Sequence, residues 1–73
     1  MKVSIPTDGK AIRRLRQLGG HNSTPFAKEV GITVGYLSRL ERGDRQASPA
    51  VLGRIARKLH VTVADLMPAK DLV

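Results

Sequence analysis

An all-α fold, a compact bundle of five short helices, is what this sequence predicts. Apolar residues recur three and four apart, no stretch alternates as a strand does, and capping residues and glycines punctuate the chain at short intervals. The 73 residues, 41% of them apolar, suffice for a single domain with one core. It divides into an arm over 1–6, a helical core over 7–67 and a tail over 68–73.

The first helix begins after Thr7 or Asp8, either of which can cap it, and its apolar residues Ala11, Ile12, Leu15 and Leu18 paint one face. Lys10, Arg13, Arg14 and Gln17 occupy the other side, and Gly19-Gly20 stops the helix. Asn22-Ser-Thr-Pro25 starts a second helix, with proline tolerated in a first turn whose amides lack partners. Phe26, Ala27 and Val30 form its inner side and Gly31 ends it. Thr33 caps a third helix, anchored by Leu37 and Leu40 and closed by Gly43. Ser48-Pro49 opens the fourth, whose Leu52, Ile55, Ala56 and Leu59 follow at i, i+3, i+4 and i+7. Thr62 caps a fifth, with Val63, Leu66 and Met67 inward and Pro68 preventing its continuation.

Composition narrows the function. Thirteen Lys and Arg against six Asp and Glu give a formal charge of +7, which favours a polyanionic partner, nucleic acid first and an anionic membrane surface second. No apolar run is long enough for a membrane span, and the amino end lacks the apolar core of a secretory signal. Without cysteine there is no disulfide or thiolate metal site, so packing alone must hold the fold, as a cytoplasmic protein can manage. No glycine-rich phosphate loop, metal-ligand cluster or nucleophile–base constellation is present, and His21 and His60 stand in different elements. The expectation is therefore no enzyme, no cofactor and no metal. One Phe and one Tyr are too few for the stacking platforms that read single-stranded RNA.

Two short helices joined by a glycine-containing turn have the sequence form of a helix-turn-helix, whose second helix enters the major groove of DNA. Ala27, Gly31, Ile32 and Thr33, followed by Ser38-Arg-Leu-Glu-Arg-Gly43 and by Ile55-Ala-Arg-Lys-Leu-His-Val-Thr-Val-Ala-Asp-Leu66, carry a closer likeness. From Ile12 to Met67 the chain resembles the lambda-repressor-like, Xre-type helix-turn-helix family.

That resemblance implies a small transcriptional regulator, a repressor by the family's habit, bound to double-stranded DNA in a bacterial or phage-infected cell, at the nucleoid. It implies base contacts from Val34, Gly35, Ser38 and Arg39, with Arg39 able to donate two parallel hydrogen bonds to a guanine. Backbone contacts fall to Ser23, Thr24, Thr33, Arg42, Arg45 and Gln46. Tyr36 either reaches a phosphate or packs against the second helix, phosphate being favoured. Gly35 either lets the backbone approach DNA or is a tolerated weak spot. Arg16 and Glu41 are implied to form a structural ion pair, and Val63 and Met67 to serve a homodimer on DNA as well as the core. The pattern is broken at Ser23, where the family commonly has glutamine, at His21, usually hydrophobic, and at Ala47, frequently proline. A different reading of the same fold is an antitoxin or a transcription-complex module that works mainly through protein contacts.

Overall fold

The computed structural model describes residues 5–68, and within them the fold is all-helical: α1 (Gly9–Leu18), α2 (Ser23–Glu29), α3 (Val34–Arg42), α4 (Pro49–Leu59) and a 3-10 turn, Val63–Leu66. Most of the expected arm and tail lies outside the described residues.

Local chemistry explains each boundary. Asp8 is the cap of α1, its Oδ1 accepting from the Ala11 amide at 3.1 Å. Thr33 Oγ1 accepts from the Tyr36 amide and Ser48 Oγ from the Val51 amide, satisfying donors that α3 and α4 would otherwise leave unpaired. Gly43 ends α3 at φ 84°, the left-handed conformation glycine adopts without a Cβ clash. His60 takes the same conformation at the end of α4, φ 59°.

Thr7 does something other than cap a helix. Its amide donates to Gln46 Oε1 at 2.7 Å, its hydroxyl donates to the Ile5 carbonyl, and the Ala47 amide donates to that same hydroxyl. The Ile5 amide donates in turn to the Ala47 carbonyl at 3.1 Å. The start of the described chain is thereby stitched to the loop between α3 and α4.

Ile12, Phe26, Ala27, Val30, Leu37, Leu40, Leu52, Ile55, Ala56 and Leu66 make one continuous core, with Ala47 of the loop also fully buried. Gly9 lets α1 approach α3 closely: a Cβ there would lie 2.1 Å from the Leu40 carbonyl oxygen. The Asp8 amide donates to the Leu66 carbonyl at 2.7 Å, joining α1 to the final turn.

Two expectations are corrected. In place of a fifth α-helix there is a 3-10 turn of four residues, closed by a capping box between Thr62 and Asp65. Pro68 disfavours α geometry at Met67, which is extended with ψ 150°, so the turn is cut before an i to i+4 ladder can form. Leu18 is not part of the buried face; it is the last residue of α1 and 77% exposed. Helical spacing puts it in line with Ala11, but the bundle ends before α1 does.

Candidate nucleic-acid interface

The turn between α2 and α3 is built from its hydrogen bonds. The Gly31 amide donates to the Lys28 carbonyl and the Ile32 amide to the Ala27 carbonyl, with Gly31 at φ 78°. This pair of bonds closes a helix end around a left-handed residue and turns the chain sharply. Leu37 and Leu40 are fully buried, which fixes the opposite side of α3 outward.

On that outer side Val34 and Ser38 are i and i+4, and Gly35 and Arg39 are the adjacent i, i+4 pair. Val34 is 44% exposed, a large apolar side chain left facing solvent. Gly35 is exposed, and a Cβ added there would meet nothing within 4 Å, so no contact inside the domain requires a glycine at this position. Arg39 is exposed and makes no side-chain hydrogen bond or ion pair among the described residues.

A groove of about 350 Å³ brings Ser23, Val34, Ser38 and Arg42 together from α2 and α3, with Arg13 of α1 on its wall and the Arg16–Glu41 pair also lining it. Arg16 Nε donates to Glu41 Oε2 at 2.7 Å, Nη2 to Oε1 at 3.1 Å, and Nη1 to the His21 carbonyl at 2.9 Å. The two side chains are only 10% and 9% exposed. Hydrogen bonding to Glu41, then its charge, holds the Arg16 guanidinium above its ordinary pKa against the opposing effect of burial. The pair is fork to fork, the geometry in which Arg and a carboxylate interact most strongly.

The other residues singled out by sequence lie around this groove. Thr33 is exposed at the cap of α3, and Thr24 is exposed in α2. Arg42 donates to Asp44 Oδ2 and to Ser38 Oγ, both at 3.1 Å, on an exposed surface. Arg45 is exposed in the loop that follows. Gln46 turns its side-chain oxygen back to the Thr7 amide, and its carbonyl accepts from the Tyr36 hydroxyl at 3.4 Å. Tyr36 is half-buried and packs on the core, so it braces the loop from α3. Val63 and Met67 are half-buried at the edge of the same core, distant in sequence from the groove.

Arg13 is the groove residue that sequence reading left on the solvent side. It also lines a larger, open groove of about 970 Å³, where Lys10, Arg14 and Gln17 of α1 face Arg42 to Asp44. A signal for it was present: Arg13 stands three residues before Arg16, so whatever turns Arg16 toward α3 carries Arg13 the same way. Among the described residues no group of three His, Cys, Asp or Glu could hold a metal ion, and no helix is long and apolar enough to cross a membrane.

A short helix held outward on buried leucines, entered by a glycine turn and flanked by exposed arginines, defines a helix-turn-helix domain of the lambda-repressor-like, DNA-binding class. The chain belongs to the helix-turn-helix family, whose model matches residues 12–66. It is 38% identical over 60 residues to YazB, an uncharacterized HTH-type transcriptional regulator of Bacillus subtilis (strain 168), covering 82% of this chain and 87% of that one. Among solved structures, it is similar to the clp gene regulator ClgR of Corynebacterium glutamicum, with a TM-score of 0.74 and 35% identity. That match covers 78% of this chain and 61% of ClgR. The N-terminal DNA-binding domain of SinR from Bacillus subtilis superposes with a TM-score of 0.77 at 28% identity, over 85% of this chain and 91% of that one. SinR has also been solved in complex with DNA.

Proposed function

We propose that this protein is a transcriptional regulator that reads duplex DNA by inserting α3 into the major groove and represses by occupying an operator. The observation that carries the reading is the outer side of α3. Val34, Gly35, Ser38 and Arg39 are presented on a helix whose other side is buried, and its groove is rimmed by Arg13 and Arg42. Relatives support it: SinR is solved on DNA, and YazB and ClgR are named as regulators.

Arg39, whose side chain has no partner among the described residues, is assigned to a guanine, where a bidentate contact discriminates by ~1–3 kcal/mol. Val34 suits a thymine methyl, and the open space at Gly35 lets the helix backbone come close to the bases. Ser23, Thr24, Thr33, Arg42 and Arg45 are assigned to the sugar-phosphate backbone, and Arg13 joins them from α1. Gln46 and Tyr36 brace the loop through their hydrogen bonds, with the Gln46 amide nitrogen left to face a phosphate. Val63 and Met67, half-buried at the edge of the core, are assigned to the contact of a homodimer whose two α3 helices would read half-sites about one DNA turn apart, roughly 34 Å.

The experiment is selection of bound duplexes from a randomised pool near physiological salt, with wild type and Arg39→Ala in parallel. An enriched palindrome that relaxes at a G position in the variant is expected. Binding to every duplex alike, falling steeply with salt, would leave only a phosphate-binding surface and refute sequence reading.

A further inference from the structure

Two side chains of α4, one helical turn apart, reach across to the end of α2. Arg54 Nε donates to the Val30 carbonyl at 2.8 Å, and the Lys58 ammonium pairs with the Glu29 carboxylate. Being i and i+4, both project from one face of α4. They border a cleft of about 420 Å³ that shares no lining residue with either groove beside α3.

The end they hold is the one that needs holding. With seven residues, α2 is far too short to be stable by itself. Its last turn must find partners for carbonyls the helix cannot satisfy. Phe26, Ala27 and Lys28 give theirs to the amides of Val30, Ile32 and Gly31, which are the bonds of the turn itself. The Val30 carbonyl, two residues beyond Lys28, takes the Arg54 guanidinium. That guanidinium also lies over Gly31, 3.8 Å from where its Cβ would be. Val30 and Gly31 set the direction in which the chain leaves α2 for α3, so a strut on Val30 is a strut on the angle between the two helices.

We infer that Arg54 and Lys58 form a clamp by which α4 positions the helix-turn-helix for base reading. They are positioning residues: neither lines the grooves beside α3, and they act through the α2–α3 turn. The role rests on the proposed reading of DNA by α3. The Arg57 side chain makes no hydrogen bond or ion pair among the described residues although it lines the same cleft three residues from Arg54, which makes it a charge-matched control.

The test compares Arg54→Met with Arg57→Met, and Lys58→Glu with the charge swap Glu29→Lys plus Lys58→Glu. Amide hydrogen exchange at Gly31 and Ile32 is read on the free protein. The ratio of affinities for a selected duplex and a scrambled one of equal length is read at fixed salt. Arg54→Met is expected to speed exchange at Gly31 and Ile32 at least tenfold beyond any change at Leu40 and Ile55, and to lower the affinity ratio about tenfold. Arg57→Met should move each by less than twofold. Lys58→Glu should lower the ratio, and the swap should return it to within twofold of wild type. Equal effects of Arg54→Met and Arg57→Met, exchange that quickens alike at every core amide, or an unchanged ratio would overturn the clamp. If Arg54→Met does not fold, the charge swap decides alone. A wild type with no preferred duplex would refute the DNA reading and the positioning role with it, while exchange at Gly31 and Ile32 still reports whether α4 holds the turn.

Discussion

Removing the Glu41 carboxylate should strip the Arg16 guanidinium of two of its three hydrogen bonds and leave it, 10% exposed, with only the His21 carbonyl. Breaking one partner of a largely buried, hydrogen-bonded ion pair costs ~3–5 kcal/mol, because the surviving charge stays largely desolvated and loses its counter-charge. A 73-residue domain at ~0.05–0.15 kcal/mol per residue has a total stability on the order of 4–11 kcal/mol, so Glu41→Ala should remove a large share of it. At ~4–8 °C per kcal/mol for a domain of this size, the melting temperature should fall by at least about 12 °C. Urea unfolding followed by far-UV circular dichroism, with wild type and variant compared at equal slope, measures the difference. The double variant Arg16→Met, Glu41→Leu should recover most of the loss, since two apolar groups of similar volume leave no stranded charge. A Glu41→Ala loss below ~1 kcal/mol, the range of an exposed pair, would refute the argument that burial is what makes this pair matter.

Gly9→Ala places a methyl carbon 2.1 Å from the Leu40 carbonyl oxygen and 2.8 Å from that of Glu41, both backbone atoms, so α1 must move away from α3. A loss of ~1–3 kcal/mol by urea unfolding is expected despite alanine's better helix propensity, and a gain in stability would show the contact to be looser than described. At the other end of the bundle, the hydrogen bond and charge of Lys58 hold the Glu29 carboxyl below its ordinary pKa. A depressed folded-state value means that the pair's contribution is complete above the ordinary carboxylate range and is lost as pH falls through the folded value. Glu29→Gln should therefore flatten the acid side of the stability–pH profile relative to wild type, and a carbon-detected titration placing Glu29 at or above the ordinary value would contradict the pairing.

Most of the architecture is legible in residue order because its signals are local. Thr33, Ser48 and Gly43 stand where caps and stops are needed, and the periodic leucines of α3 and α4 name the buried side. The failures are those of a local rule applied without knowing where neighbours are. Leu18 obeys the helical period, yet among the described residues nothing covers it. Thr7 has the chemistry of a cap but is drawn into bonds with Gln46 and Ala47, some forty positions away. Pro68 is visible as a stop, but its effect on Met67 shortens the last helix to a 3-10 turn. Around α3 the segment from Gly31 to Gly43 can be read as turn and helix. The demand on Gly9 and the struts from Arg54 and Lys58 cannot, because each depends on how two helices distant in sequence cross, and Arg13 is legible only by following Arg16 one turn back. Nothing local marks Gln46 as the partner of the Thr7 amide either.

The bridge between Ile5 and Ala47 has a practical consequence for anyone who handles this protein. Ile5, the first described residue, is bonded to the loop that carries Arg45 and Gln46. A purification tag or fluorescent fusion joined directly ahead of Ile5 would therefore be anchored at the edge where the proposed interface places a duplex. A histidine-rich or basic tag there would add its own attraction to phosphate, and a bulky fusion would block approach. Affinities measured on such a protein would describe the attachment as much as α3, so labels belong elsewhere, or must be cleaved before any titration with DNA.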